Sequence, residues 1–241
     1  MTRREALVGM GAIAGAGVLS ACGATPKRDA ESGLDAGAPG RGGTLRVGAL
    51  GKRSSIERDP HKVQANESDY LISCLVYEAL TVPGPKPVTA RLMSKWEPSS
   101  DLRRWRFQIA DGATFHDGTR VTADDVVWSL RRLRGLPNGE FRLPAISARG
   151  IRKDSPRSIV IATDAPNAEV PMAVRLQSFV FKEGERRPGR GPGCGPFKLV
   201  SYDDGDAVLV RHADWHGGVV PLYRIEVRLF DDAEALTTAV L

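Results

Sequence analysis

Residues 43–241 are predicted to form an α/β fold, and three observations predict it. Short β-rich runs alternate with runs of helical period along this whole stretch, a mixture that ordinarily assembles into packed layers. One of the helices, 69–80, is apolar almost all round, so it belongs inside a sizeable fold. The last strand passes directly into an apolar helix at Ala233, which reads as the opening of a crossover.

The elements follow in order. Residues 44–50 read as a strand: they follow the Gly42-Gly43 break and alternate Leu45 and Val47 with Thr44 and Arg46. After a loop containing Asp59-Pro60 comes the helix 69–80, with Asn66 as its expected cap. Residues 95–97 and 105–109 are expected as short strands joined by a polar turn, and His116-Asp117-Gly118 as a turn. Thr122 caps a helix running through Arg134, with Asp125 in the reciprocal capping position and Gly135 ending it. Its inner stripe is Val127, Leu130 and Leu133. Residues 158–162 form a strand and 170–176 a helix; 197–202 and 207–212 make a hairpin across Asp203-Asp204-Gly205. Residues 222–230 alternate apolar residues as a strand, and the helix from Ala233 carries Leu236, Ala239, Val240 and Leu241, an apolar set for which the sequence offers no evident partner surface.

The chain is 241 residues, 41% hydrophobic, enough for a real core in one or two domains. A net charge of +5 is modest, and no basic stripe is interleaved with aromatics, so nucleic acid is not the expected partner. Arg131, Arg132 and Arg134, the densest basic cluster, read as a solvated surface at a helix end. Three cysteines, none at ligand spacing to another, exclude a disulfide framework and a zinc site. Cys74 and Cys194 either pair in an oxidising compartment or are two separate buried thiols.

The first residues set a compartment. Arg3 and Arg4 precede a weakly apolar run, 6–19, that is too short for a bilayer span of about 20 residues. The run ends in Leu19-Ser20-Ala21-Cys22, the pattern of a bacterial lipoprotein box: small residues admit the backbone to a peptidase, and the Cys22 thiol accepts the lipid. Residues 1–21 are thus expected to be a lipoprotein signal peptide, with Arg3-Arg4 resembling a twin-arginine export signal. Residues 22–42, built of Gly, Ala, Pro, Ser and charges, are expected to be a flexible tether spanning roughly 25 Å.

Several pieces, taken in this order, resemble one family. They are Gly42-Gly43-Thr44-Leu45-Arg46-Val47, Asp59-Pro60-His61, Val76-Tyr77-Glu78-Ala79-Leu80-Thr81, Trp96-Glu97-Pro98-Ser99 and Trp105-Arg106-Phe107-Gln108-Ile109. The densest block runs from Phe115-His116-Asp117-Gly118-Thr119 to Asp124-Asp125-Val126-Val127-Trp128-Ser129-Leu130, and Gly195-Pro196-Phe197-Lys198-Leu199 and Asp231-Asp232-Ala233-Glu234-Ala235 follow. This series is similar to the family 5 extracellular solute-binding proteins, the dipeptide- and oligopeptide-binding subunits of ABC importers. Asp214-Trp215-His216-Gly217-Gly218 stands where that family usually has Tyr-Trp-Gly-Gly.

The resemblance implies a type II periplasmic-binding-protein-like (Venus-flytrap) clamp that closes on solute by hinge bending. Residues 43–241 would supply its first lobe with the N-terminal extra subdomain, the second lobe lying beyond. It implies a lipid-anchored, extracytoplasmic protein that captures peptides or similar small solutes and hands them unchanged to two permease and two ATPase subunits. No catalytic residue, metal or cofactor is then expected. The loop after the first strand lines the cleft in the family, which points to Ser54 and Ser55 as ligand-binding residues; Phe141 and Gly195 are further candidates. Two other readings stand beside this one: a truncated or split product unable to clamp ligand, and a secreted lipid-anchored hydrolase.

Other tempting residues have plainer explanations. The glycine-rich run 189–195 lacks the Gly-Lys-Ser/Thr ending of a phosphate loop and reads as a turn feeding a strand. His212 and His216 would share a helix face as metal ligands, but Trp215 and Gly217-Gly218 argue for a loop. His116-Asp117 has no nucleophile beside it, and Asp124-Asp125 opens a helix.

Overall fold

The computed structural model describes residues 42–64, 66–86 and 88–240; the expected signal peptide, Cys22 and the tether up to residue 41 lie outside them. Strand β1 (Thr44–Leu50) runs parallel to β10 (Arg224–Phe230), pairing Leu45 with Ile225, Val47 with Val227 and Ala49 with Leu229. β8 (Phe197–Asp203) and β9 (Asp206–Arg211) form the expected hairpin, and the sheet order is β1-β10-β9-β8. Period-2 alternation buries Ile225, Val227, Leu209 and Ala207 on one face, against Ile72 and Val76 of helix α1 (Glu67–Val76). The opposite face is charged. Arg46 and Arg224 pair with Glu226 there, in the open, where such pairs contribute little to stability.

Between these strands the chain builds a second, antiparallel sheet. After the two-residue strands β2 (Thr81–Val82) and β3 (Thr89–Ala90) come β4 (Met93–Pro98), β5 (Arg104–Ile109), β6 (Ile151–Ser155) and β7 (Ser158–Ala162), in the order β4-β5-β7-β6. Helix α2 (Ala123–Gly135) covers it, and Phe107, Ile109, Ile159 and Ile161 meet Val126, Leu130 and Leu133 in a continuous core. The reciprocal cap is present: Asp125 N donates to Thr122 Oγ1 at 3.4 Å, and Thr122 N to Asp125 Oδ2 at 2.8 Å. Short helices α3 (Gly139–Arg142) and α4 (Val170–Ala173) flank this layer, and α5 (Ala233–Val240) follows β10.

The structure corrects several expectations. Helix α1 ends at Val76, not Leu80, because Gly195 N donates to the Val76 carbonyl at 2.9 Å and the chain turns extended at Tyr77. Asn66 precedes α1, but its side chain bonds the Lys52 backbone instead of capping the helix. Gly135 is the last residue of α2, and α4 stops at Ala173. The arginine cluster is not simply solvated surface: Arg131 donates to Ile151 O, Arg134 to Ile146 O, and Arg132 grips Asp59. Leu236 does find a surface, filling the space over Gly48 beside Phe230. Cys74 and Cys194 are unpaired thiols, half-buried and buried respectively.

Replacing Thr122 with Ala removes the cap acceptor on α2. The expected loss is about 1 kcal/mol of unfolding free energy, read from the urea midpoint at unchanged m-value.

Candidate functional site

The loop after β1 leaves the carboxyl end of a parallel strand pair, the place where open α/β sheets present ligands. Helix α1 holds it at both ends. Asn66 accepts from Lys52 N at 2.9 Å and donates to Lys52 O at 3.1 Å, as a paired strand would. Asp69, almost wholly buried, accepts from Glu57 N at 2.9 Å, from Asn66 Nδ2 at 3.1 Å and from the Tyr202 hydroxyl. Arg53, between these anchors, pairs with Asp204 at 3.1 Å. A 3-10 turn over Arg53–Ser55 leaves Ser54 and Ser55 exposed, and their hydroxyls have no partner among the described residues.

Asn66 also lines a cavity of about 420 Å³ with Tyr70, Cys74 and Gln177. Tyr70 and Gln177 recur in a second cavity of about 440 Å³, walled by Phe141, Met172, Leu176 and Arg142, so the two adjoin and are together called the groove. Half of the exposed large apolar side chains among the described residues lie on it: Tyr70, Phe141, Met172 and Leu176, with Phe141 79% exposed. Apolar exposure gathered in one concavity is the mark of a binding surface. The Cys74 thiol sits in its wall, and burial raises its pKa.

The floor is stiff. Gln177 donates to Val63 O at 2.9 Å, and Arg132 makes a two-pronged contact with Asp59 while donating to His61 Nδ1 at 2.9 Å. His61 therefore donates from Nε2 to Phe179 O at 2.8 Å and is held neutral, with burial pushing its pKa down to about 3.

The sequence candidates are placed as follows. Ser54, Ser55 and Phe141 are exposed; Phe141 lines the second cavity, while Ser54 and Ser55 line neither cavity. Gly195 is elsewhere: a Cβ there would stand 2.5 Å from Leu75 O, and its carbonyl accepts from His116 Nε2 at 3.1 Å and His212 Nδ1 at 3.3 Å. His212 and His216 lie on a turn, not a helix, and His216 faces buried Glu78 at 2.5 Å, which also takes the Trp215 indole at 2.8 Å and Arg91 at 3.0 Å. The sequence reading missed Tyr70, Leu176 and Gln177. They sit inside predicted helices or at their ends, and only the third dimension gathers them with Phe141.

Burial also lowers the pKa of His116, to about 4, and that of His212. These three imidazoles are neutral in the fold but titrate near 6.5 when unfolded, so unfolding takes up protons below that pH. Their stabilisation is whole above pH 6.5 and drains as pH falls toward 4 and then 3. The urea midpoint should fall across that window, and His116→Gln should make the decline shallower.

Comparison with known proteins gives a consistent result. The model for bacterial extracellular solute-binding proteins, family 5, matches residues 87–241. A probable D,D-dipeptide-binding periplasmic protein of Escherichia coli K12, DdpA, is 26% identical over 206 residues, covering 76% of this chain and 39% of that protein. Among solved structures, AgaA of A. tumefaciens R10 in complex with agropinic acid superposes with a TM-score of 0.71 at 25% identity, covering 82% of this chain and 42% of the other. AppA of Bacillus subtilis, in complex with a nonapeptide, gives 0.67 at 19% identity over 84% and 43%. The chain thus spans about two fifths of the length of these relatives.

Proposed function

Because the chain belongs to the family 5 bacterial extracellular solute-binding proteins and has the expected type II periplasmic-binding-protein-like fold, we propose that it captures peptides or similar small solutes for an ABC importer. The groove along Tyr70, Phe141, Leu176 and Gln177, with the clamped loop carrying Ser54 and Ser55, is then one wall of the solute cleft. The observation that carries this reading is the gathering of exposed apolar side chains beside a loop whose hydroxyls are unpartnered. Apolar walls accept many side chains, and free hydroxyls can pair with a peptide backbone, which suits broad selectivity.

In this reading the solute leaves unchanged. Permease and ATPase subunits receive it, and the protein is held outside the cytoplasmic membrane by a lipid on Cys22 with residues 22–42 as its leash. Support for the anchor is the Leu19-Ser20-Ala21-Cys22 motif itself.

Two measurements test this. Di- to pentapeptides at about a hundred times their dissociation constant should stabilise the protein by about 2.7 kcal/mol in thermal unfolding. Phe141→Ala should weaken binding about tenfold, roughly 1.4 kcal/mol, with little change in the unliganded melting point. Absence of any peptide response would defeat the solute reading. Separately, cells given radiolabelled palmitate should label the wild-type protein and not Cys22→Ser; label on both, or on neither, would remove the anchor.

A further inference from the structure

Arg142 closes α3 and forms part of the wall of the Phe141 cavity. Its guanidinium is partly buried, and Nη1 is shut off from solvent with no hydrogen-bond partner. No carboxylate pairs with it among the described residues. Of the nearby acids, Glu140 faces Arg134 at 3.7 Å and Asp59 is gripped by Arg132, while Glu67 and Glu169 line the adjoining cavities and not the one that Arg142 walls. Arg142 nonetheless acts on its surroundings, since its charge helps to hold His61 neutral. Arg175 adds a second positive charge to the same wall, whose other members are apolar or uncharged.

A partly buried cation without a counter-charge is unfavourable unless something supplies an acceptor. With Nη1 sealed off, a ligand meets the guanidinium from its Nε–Nη2 edge, whose two parallel donors match a carboxylate in a way that a neutral amide cannot reproduce. Around it, Tyr70, Phe141, Met172 and Leu176 offer apolar surface and no negative charge. The occupant that fits is amphipathic, with a large apolar body and an anionic end.

We propose that this end of the groove binds the carboxylate of an apolar solute, with Arg142 as the residue that recognises it. The inference rests on the groove being a solute wall, and it adds a charge requirement that this reading does not contain. Solutes of this class include short peptides rich in leucine or phenylalanine that end in a free carboxyl group.

The test uses such peptides, each as free acid and as C-terminal amide, titrated calorimetrically into the wild-type protein and into Arg142→Gln and Arg142→Lys. In the wild type the acids should bind on the order of ten- to hundredfold more tightly than the amides, as expected for charge-assisted bonds. Arg142→Gln should abolish that difference, and Arg142→Lys should keep part of it. Acid and amide binding equally to the wild type, a comparison that needs no variant, would overturn the assignment while leaving solute capture intact. A preference for acids that survives Arg142→Gln would do the same. Failure of every peptide to bind would instead remove the solute wall, and this inference with it.

Discussion

One buried carboxylate ties the groove to the sheet. Asp69 sits in the first turn of α1 and is reached by Glu57 N, Asn66 Nδ2 and the Tyr202 hydroxyl, so the loop after β1, the start of α1 and strand β8 converge on it. A carboxylate so deeply buried is tolerable only while its oxygens are satisfied, and those donors are what position the loop. The placement of Ser54 and Ser55 is thus a consequence of a polar contact several residues away. Helix α1 gains a second role from the same geometry: one side packs on the sheet through Ile72 and Val76, while Tyr70, Leu71 and Cys74 face the groove.

A second polar hub joins the layers near the far end of α1. Glu78 is fully buried and takes Arg91, Trp215 and His216 at once, with Arg91 lying over the Trp215 ring. This fixes the 212–218 turn against the strands that follow α1. The departure from Tyr-Trp-Gly-Gly is therefore a matter of packing: His216 occupies an internal place as a partner of Glu78. The glycine-rich run before β8 is likewise structural. A Cβ at Gly193 would stand 1.9 Å from Val76 O, so the backbone must be bare where it crosses the end of α1.

How much of this was legible follows from the physics of each element. The span of β1 and the capping box of α2 were readable because alternation and Thr122 with Asp125 are local signals. Strand β6 was not, because Ile151-Arg152-Lys153-Asp154-Ser155 lies at the edge of its sheet with most of its side chains in water. The end of α1 was misplaced because its stop signal lies in Gly195, over a hundred residues away. Within the site, the loop with Ser54 and Ser55 is named through the family resemblance, and Phe141 stands only as a further candidate. Tyr70, Gln177 and Arg142 could not be named, since no periodicity distinguishes a residue facing a groove from one facing bulk water. Gly195 was drawn in by its motif, although its role is to meet a helix end.

The pairing of β1 with β10 joins the beginning of the described chain to its far end, Leu45 lying beside Ile225. Contacts of such long sequence separation are slow to form, because the intervening loop must close before they contribute anything. As the chain leaves the ribosome, the second sheet with α2 can collapse early, while β1 stays an unpaired edge until residues 224–230 emerge. A newly made β1 therefore has no partner in its own sheet until residues 224–230 are present.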